Sequence, residues 1–495
     1  MAFLPGQDAN AQQKSSQTRM LAELDRAVDR GNPDDERRIS DFAIANPNDA
    51  KALELLARFR LRQGRLAESK ALFQRVLKLD PGSTIAKINS GHISVMLGQK
   101  EEAAQILISI NNAGSLAPPL RLDLATALLL AGESQRSLEL AQTLPVNIKN
   151  STALPLLGTL YLVSGQPAQF TGLIPLMKKA TITDASLAIA CADVLRNAGQ
   201  YKEAIAVLSS VRNLQTEPRV LISLSRLETL TRDFAHAREH LKRASTLEPD
   251  SAGVLSAQAF LESSNGDLAA AFKSISRARE LAPNSTGVLA DFVVVAMRYN
   301  KPALAADAAK TLSTLDPSNA EYRYLYGAAS LQNGDLDTAQ ELLEGYVKER
   351  PLDSKGCLAL GMTYAGRPGQ IDKARQQLSH CIDVDPSNVE VKYQLALSYK
   401  SQGENKPAIA LLESTLQQDA NNPLAMRDLG TLYFETGEAP KARPLLERAV
   451  ELNSNDADTH FQLARVYSQL GESELAKKQQ EIFRQLRGPW GKTSQ

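Results

Sequence analysis

One run of side chains has types and spacing that could do metal chemistry. His236-Ala237-Arg238-Glu239-His240 has the spacing H-x-x-E-H. On a helix this puts two imidazoles on one face, able to hold zinc, with a carboxylate between them to act as a base. A metal-dependent hydrolase would rest on His236, Glu239 and His240. The surroundings oppose that reading. Ala237 falls at a helix-packing position of the repeat described below, which turns both histidines mostly outward, and no separate domain offers a third ligand or a cleft. His92 and His460 stand alone and read as ordinary helix residues.

The other chemistry-bearing residues form no such pattern. Cys191, Cys357 and Cys381 are too few and too scattered for a disulfide framework or a zinc module. Each falls at an apolar helical position, where a thiol packs as a small hydrophobe. Cys357 and Cys381 can face each other across one helix pair, which leaves a thiol switch as the alternative to plain packing. The glycines come singly, so no loop cradles a phosphate, and no nucleophile elbow occurs. No catalytic residue, metal or cofactor is therefore implied.

The elements that carry these residues are helices. The chain has 495 residues, with 56 basic and 56 acidic side chains, so no net charge draws it to nucleic acid or an acidic membrane. Aromatics make up only 5% while Ala and Leu abound, which favours packed helices over sheets. No apolar run is long enough to span a bilayer. The default compartment is the cytosol. The opening MAFLPGQDANAQQ offers another reading, the tail of an apolar segment followed by the small-residue pattern Ala9-Asn10-Ala11 of a cleaved export signal.

Four hundred and ninety-five residues exceed one ordinary core, and the sequence grows by repetition. Turn glycines recur at Gly31, Gly64, Gly98, Gly132, Gly165, Gly199, Gly266, Gly334, Gly369, Gly403, Gly437 and Gly471, with Arg232 and Asn300 filling two places in the series. The spacing is 33 to 35 residues, giving fourteen units. Five residues after the turn stands Ala in most units, from Ala103 and Ala204 to Ala442 and Ala476; seven before it stands Gly or Ala, as at Ala57, Gly91, Gly158, Gly327 and Gly430. Small side chains at two fixed phases let helices cross closely. Loops such as LDPGS (79–83) and VDPSN (384–388) combine a helix-ending Pro with a capping Asp, Ser or Asn.

The units resemble tetratricopeptide repeats. AEYRYLYGAASLQNGDLDTAQELLEGYVKERPLD (320–353) and AKALELLARFRLRQGRLAESKALFQRVLKLDPGS (50–83) carry that family's small residue before the turn, the Gly, the Ala after it and the interunit Pro. The resemblance implies an all-α fold, a right-handed α-solenoid of antiparallel helix hairpins whose first helices line a concave face. The array is expected over 17–490, after a disordered segment 1–16 and before a short tail 491–495. Between 111 and 184 the pattern weakens: Phe170 replaces the Ala, and Pro175 falls inside a second helix, where it should cause a kink. The final helix carries a polar run, Lys477 to Glu481, suited to a terminal cap, and Trp490 is expected to fold back on it.

In that family the groove side chains stand ten, six and three residues before the turn. Here those phases give Arg58 and His92, which with Asn89, one residue off phase, make a polar mouth, then an apolar stretch including Leu122, Thr126, Leu129, Thr159, Leu162 and Ile189. They end in an aromatic and basic zone with Phe260, Tyr324, Tyr393, Lys400, Arg427, Phe434, Phe461 and Arg465. Such a groove suits a peptide or partner protein, with aromatics and Arg as anchors. A clamp for acidic chaperone tails needs Lys, Asn and Arg on three consecutive first helices, and no such set occurs. RNA binding would need a basic inner wall, which the balanced charge opposes. The resemblance thus implies a protein-binding scaffold, or, for an exported chain, a periplasmic scaffold of an exopolysaccharide-export or other envelope assembly.

Overall fold

The structure, a computed structural model, describes residues 20–28, 32, 35–145 and 151–487. The segments 1–16 and 491–495, Gly31 and Trp490 lie outside the described residues. Among those described, fourteen antiparallel helix pairs follow one another, from residues 20–28 with Asp35–Ala45 to Ala457–Gln469 with Ser473–Arg487. The fold is an all-α solenoid of hairpins.

Each hairpin is specified at its turn. Gly64, Gly98, Gly132 and the other described turn glycines have φ between +64° and +92°. Arg232 (φ +62°) and Asn300 (φ +56°) take the same left-handed conformation in the places where glycine is missing, at the steric cost that a Cβ brings. The residue after the turn donates its N–H back over it, as Arg65 does to the Arg60 carbonyl at 3.0 Å, so the carbonyls at the helix end are satisfied. Helix starts are capped by short polar side chains: Asp49 accepts from the Lys51 and Ala52 amides, Ser83 from Ala86, and Asn422 from Ala425.

The two small-residue phases meet inside most pairs. Ala103, Ala204, Ala237, Ala271, Ala339, Ala374, Ala408 and Ala442 have no exposed surface. A Cβ placed at Gly91, Gly327 or Gly430 would come within 2.6 to 2.8 Å of Leu107, Leu343 or Leu446 on the paired helix. Where Ser replaces the Ala, its buried hydroxyl finds a carbonyl on the first helix: Ser69 donates to Ala57 at 2.7 Å and Ser137 to Ala125 at 2.6 Å. Phe170 is buried facing Gly158, where a Cβ would stand at ordinary contact, 3.6 Å, from the ring but only 2.9 Å from Val194.

Contacts divide the chain into two units, one of Met1–Lys301 and Lys310–Tyr322, the other of Pro302–Ala309 and Arg323–Gln495. In the first, irregularity extends beyond 184. The second helices Lys100–Ile108, Ser134–Gln142 and Tyr201–Ser209 have 9 residues, against 14 in Leu66–Leu79. Two of them lead into single 3-10 turns, Ala113–Ser115 and Leu214–Thr216, each preceded by a left-handed Asn. The helix Pro167–Ala180 continues through Pro175. That proline and Thr171, whose carbonyl it leaves without its usual donor, are both exposed, so water can take the bond.

The second unit corrects the reading of the cysteines. Cys357 on Ser354–Ala365 and Cys381 on Ile371–Val384 are joined by a disulfide, with Cα atoms 5.7 Å apart and no surface exposed. Both are buried at packing phases as expected, but they are cross-linked. Cys191 is a buried free thiol, and burial pushes its pKa up to about 12.

Candidate functional site

The H-x-x-E-H segment lies on the helix Phe234–Leu247. His236 is exposed and bonds Asp233 at 2.7 Å; its pKa is raised, first by that hydrogen bond and then by the carboxylate's charge. His240 is not turned outward as the periodicity implied. It is tucked against the paired first helix, 2.8 Å from the buried Glu228. The two imidazoles thus serve different carboxylates, and Glu239 is exposed. Among the described residues no three His, Cys, Asp or Glu side chains are grouped to hold a metal ion. His460 is buried between Gln479 and the Ser454 carbonyl.

The face formed by the first helices carries the partner-binding candidates. At its start Arg58, Asn89 and His92 come together, with Leu61, Ile88 and Asp123, around a cavity of about 550 Å³. Three consecutive first helices supply them. Arg58 is bonded to Asp25 at 2.5 Å, and Asn89 donates to the Ile85 carbonyl at 2.8 Å. Burial lowers the pKa of His92, and the opposing charge of Asp123 only partly offsets it.

The apolar stretch follows. Leu129 and Leu162 are half-buried against the core clusters of the first unit. Thr126 and Thr159 return their hydroxyls to the carbonyls of Leu122 and Pro155. The residues that project furthest here were missed by the phase rule: Leu130 is 48% and Val163 61% exposed, each two residues before its turn glycine. Met96 and Leu230 hold the same phase. A row of apolar side chains at that phase was the available signal.

In the second unit, Tyr324 is half-buried, its ring 5.3 Å from that of Tyr346 and under Lys355 Nζ at 4.8 Å. Tyr393, Lys400 and Arg427 share one carboxylate. Asp428 accepts from the Tyr393 hydroxyl at 2.8 Å, Lys400 Nζ at 2.6 Å and Arg427 at 3.1 Å, and Arg427 also reaches Asp456 at 3.1 Å. Burial would raise the pKa of Asp428, but Lys400, Arg427 and the Tyr393 hydroxyl outweigh it, and the carboxyl is held below the usual carboxylate range. Tyr393 is only 6% exposed, so this network belongs to the wall between successive first helices.

Phe461 and Arg465 are different. Phe461 is 41% exposed and leans on Phe483, with ring centroids 5.2 Å apart. Arg465 is exposed, with its guanidinium 4.6 Å from the Phe434 centroid and 5.8 Å from that of Phe461. Together they form an aromatic shelf with a cation lying on it, an arrangement able to take an apolar side chain beside an anionic one.

Comparison with known proteins agrees with this architecture. Three family profiles, each described as a tetratricopeptide repeat, match residues 60–116, 367–425 and 401–448, residues 445–478, and residues 21–84 and 291–354. Together they span more than half of the chain. No curated protein matches the sequence. Among solved structures, the chain is similar to one from the APC/C hetero-tetramer Cut9-Hcn1, with 15% identity, 88% of this chain and 94% of that chain covered, and a TM-score of 0.45. It is also similar to a tetratricopeptide repeat protein from Parabacteroides merdae (17% identity; 54% and 98% covered; TM-score 0.43). A third similar structure is a thermophilic TPR protein of Thermus thermophilus (20% identity; 37% and 100% covered; TM-score 0.34).

Proposed function

Because this chain is a tetratricopeptide repeat protein, a scaffold type that mediates protein–protein interactions, we propose that it holds an extended segment of a partner protein along its first-helix face. One observation carries this reading. Stacking consumes the two small-residue phases of most hairpins, and on the first-helix face of the second unit an aromatic and cationic surface is left over at Phe461 and Arg465. Aromatic and Arg side chains are the common anchors of such interfaces. Affinity capture with the intact chain and with Tyr324→Ala plus Phe461→Ala, quantified by mass spectrometry, tests it. The double variant should lose at least one partner that the intact chain retains. Identical recoveries would refute it.

The Cys357–Cys381 disulfide favours a second, finer reading: the scaffold works in an oxidising compartment, as part of an envelope assembly. Disulfides persist outside the cytosol and are rare within it. The native-source protein, denatured without reductant and treated with iodoacetamide, should take up one adduct, at Cys191. Three should appear only after reduction. Three adducts without reductant would place the chain in a reducing compartment.

A further inference from the structure

In the second unit, the space between one second helix and the next hairpin is closed by a recurring set of side chains. Tyr364, Tyr433 and Tyr467, each on a first helix, reach back to the preceding second helix. Their hydroxyls donate to Glu344, Glu413 and Glu447, the first and last at 2.9 and 2.8 Å. Each of those acids stands ten residues after its turn glycine. Six after the turn, Arg375 and Arg443 lie over the rings of Tyr399 and Tyr467, at 4.4 and 5.6 Å from the centroids. They also bridge to Glu404 and Glu472, just past the next turn, at 2.8 and 2.6 Å.

One junction of the first unit lacks the set. Between Phe234–Leu247 and the hairpin of Ala252–Ser264 and Leu268–Leu281 lies a cavity of about 530 Å³. Glu262 holds the phase of Tyr433 and Tyr467, four residues before the turn, but both its oxygens are engaged within its own hairpin, by Gln258 and Ser274 at 2.8 Å. Lys242 stands where the acid would be, and Arg238 where Arg375 and Arg443 are. Asp267 holds the place of Glu404 and Glu472. It is a methylene shorter and caps its own helix through the Ala270 amide at 3.0 Å, which leaves Arg238 unbridged. Neither cation has a carboxylate partner among the described residues. The floor is apolar, made by Leu241, Val254 and Leu261. None of the first-helix residues lining the cavity holds a groove phase, so the cavity lies apart from the groove face.

We propose that this cavity binds a small aromatic acid, whose ring takes the place of the missing tyrosine and whose carboxylate is held by Lys242. Arg238 supplies the cation over the ring face, as Arg375 and Arg443 do. At the far end of the ring the polarity is reversed: elsewhere a tyrosine hydroxyl gives to a glutamate, whereas Lys242 gives to an acceptor, and its charge favours an anionic one. An apolar cleft with a few convergent polar groups is the usual form of a small-molecule site. The site is independent of whatever the groove holds.

The test titrates para-trifluoromethylbenzoate with the full chain and reads its line width by fluorine NMR to obtain Kd. Two relatives are compared with it, para-trifluoromethylbenzamide, which lacks the charge, and the saturated cyclohexanecarboxylate, which lacks the aromatic ring. The variants are Lys242→Gln, Arg238→Gln, Lys202→Gln at an exposed cation elsewhere, and Lys242→Glu plus Glu262→Tyr, which restores the set found in the second unit. Circular dichroism reports the folding of each. The benzoate should bind, and loss of its charge or of Lys242 should raise Kd about tenfold or more. The saturated acid and Arg238→Gln should each raise it about threefold. Lys202→Gln should leave it unchanged, and the double variant should lose binding. A benzoate signal that does not broaden, an amide that binds as well as the acid, or a folded double variant that binds as tightly as the full chain would each overturn the inference. If the double variant does not fold, an unchanged Kd in both Lys242→Gln and Arg238→Gln overturns it.

Discussion

Gly356→Ala tests the packing logic where two effects oppose each other. Alanine improves a helix interior by up to about 1 kcal/mol over glycine, and by less in a first turn such as that of Ser354–Ala365. Against this, the new Cβ would lie 2.3 Å from Cε1 and 2.4 Å from Cδ1 of Tyr346. These are atoms of a rigid ring with no exposed surface, so the ring must retreat by about 1 Å to reach ordinary contact. Its hydroxyl donates to Asp353 at 2.5 Å, and Asp353 in turn caps the helix through the Lys355 and Gly356 amides. Overpacking costs about 1–3 kcal/mol, and weakening a hydrogen bond to a charged group adds up to about 1.5–3 kcal/mol. The steric side wins, with a net loss of about 2 kcal/mol.

A repeat array need not unfold as one cooperative block, so the assay is hydrogen exchange read helix by helix. Amide protection in Leu336–Glu349 and Ser354–Ala365 should fall roughly thirtyfold, while Ala457–Gln469 is unchanged. On a Tyr346→Leu background the same substitution should cost little, because the rigid ring is gone. Protection that stays level or rises in the single variant would refute the reasoning.

Three further outcomes are expected. Ala339→Phe, at a site with no exposed surface, should destabilise its hairpin by about 1–3 kcal/mol, seen as lost exchange protection in Leu336–Glu349. Asp428 has a folded pKa below its unfolded one, so its contribution is complete above the ordinary Asp value of about 3.9 and disappears as pH falls through the folded value. Exchange protection around Pro423–Glu435 should therefore drop below about pH 4, and Asp428→Asn should flatten that dependence while lowering stability at neutral pH. Arg232→Gly should stabilise its hairpin by about 1 kcal/mol by removing a Cβ from a left-handed turn, which a rise in protection across Pro218–Leu230 and Phe234–Leu247 would report.

The hairpins were legible because their requirements recur. A left-handed turn needs Gly at most positions, and a close crossing needs Ala or Gly, so Gly334 and Ala339 announce what they do. What lies between distant residues was less legible. The phase rule selected Tyr393, Lys400 and Arg427, but Asp428, which binds all three, lies outside the groove phases. His240 was misplaced for the same reason: periodicity gives a direction, and Glu228 on the paired helix decides where the ring goes. The disulfide had a sign that three scattered cysteines concealed, since Cys357 and Cys381 lie twelve residues on either side of Gly369. Phe170 read as a departure from the Ala phase, yet its ring is buried in the same pair, facing Gly158.

That cross-link has a mechanical consequence. Hairpins touch mainly their neighbours, so a solenoid pulled or nibbled from one end comes apart a pair at a time. The bond between Cys357 and Cys381 spans 24 residues and closes its hairpin into a ring. A force travelling along the chain can strip Val389–Lys400 and everything after it, but at Cys381 the tension passes through sulfur to Cys357 and bypasses the enclosed turn. The hairpin is a stopper in a zipper, and whatever pulls on one end of the array must break a covalent bond before this segment yields its length.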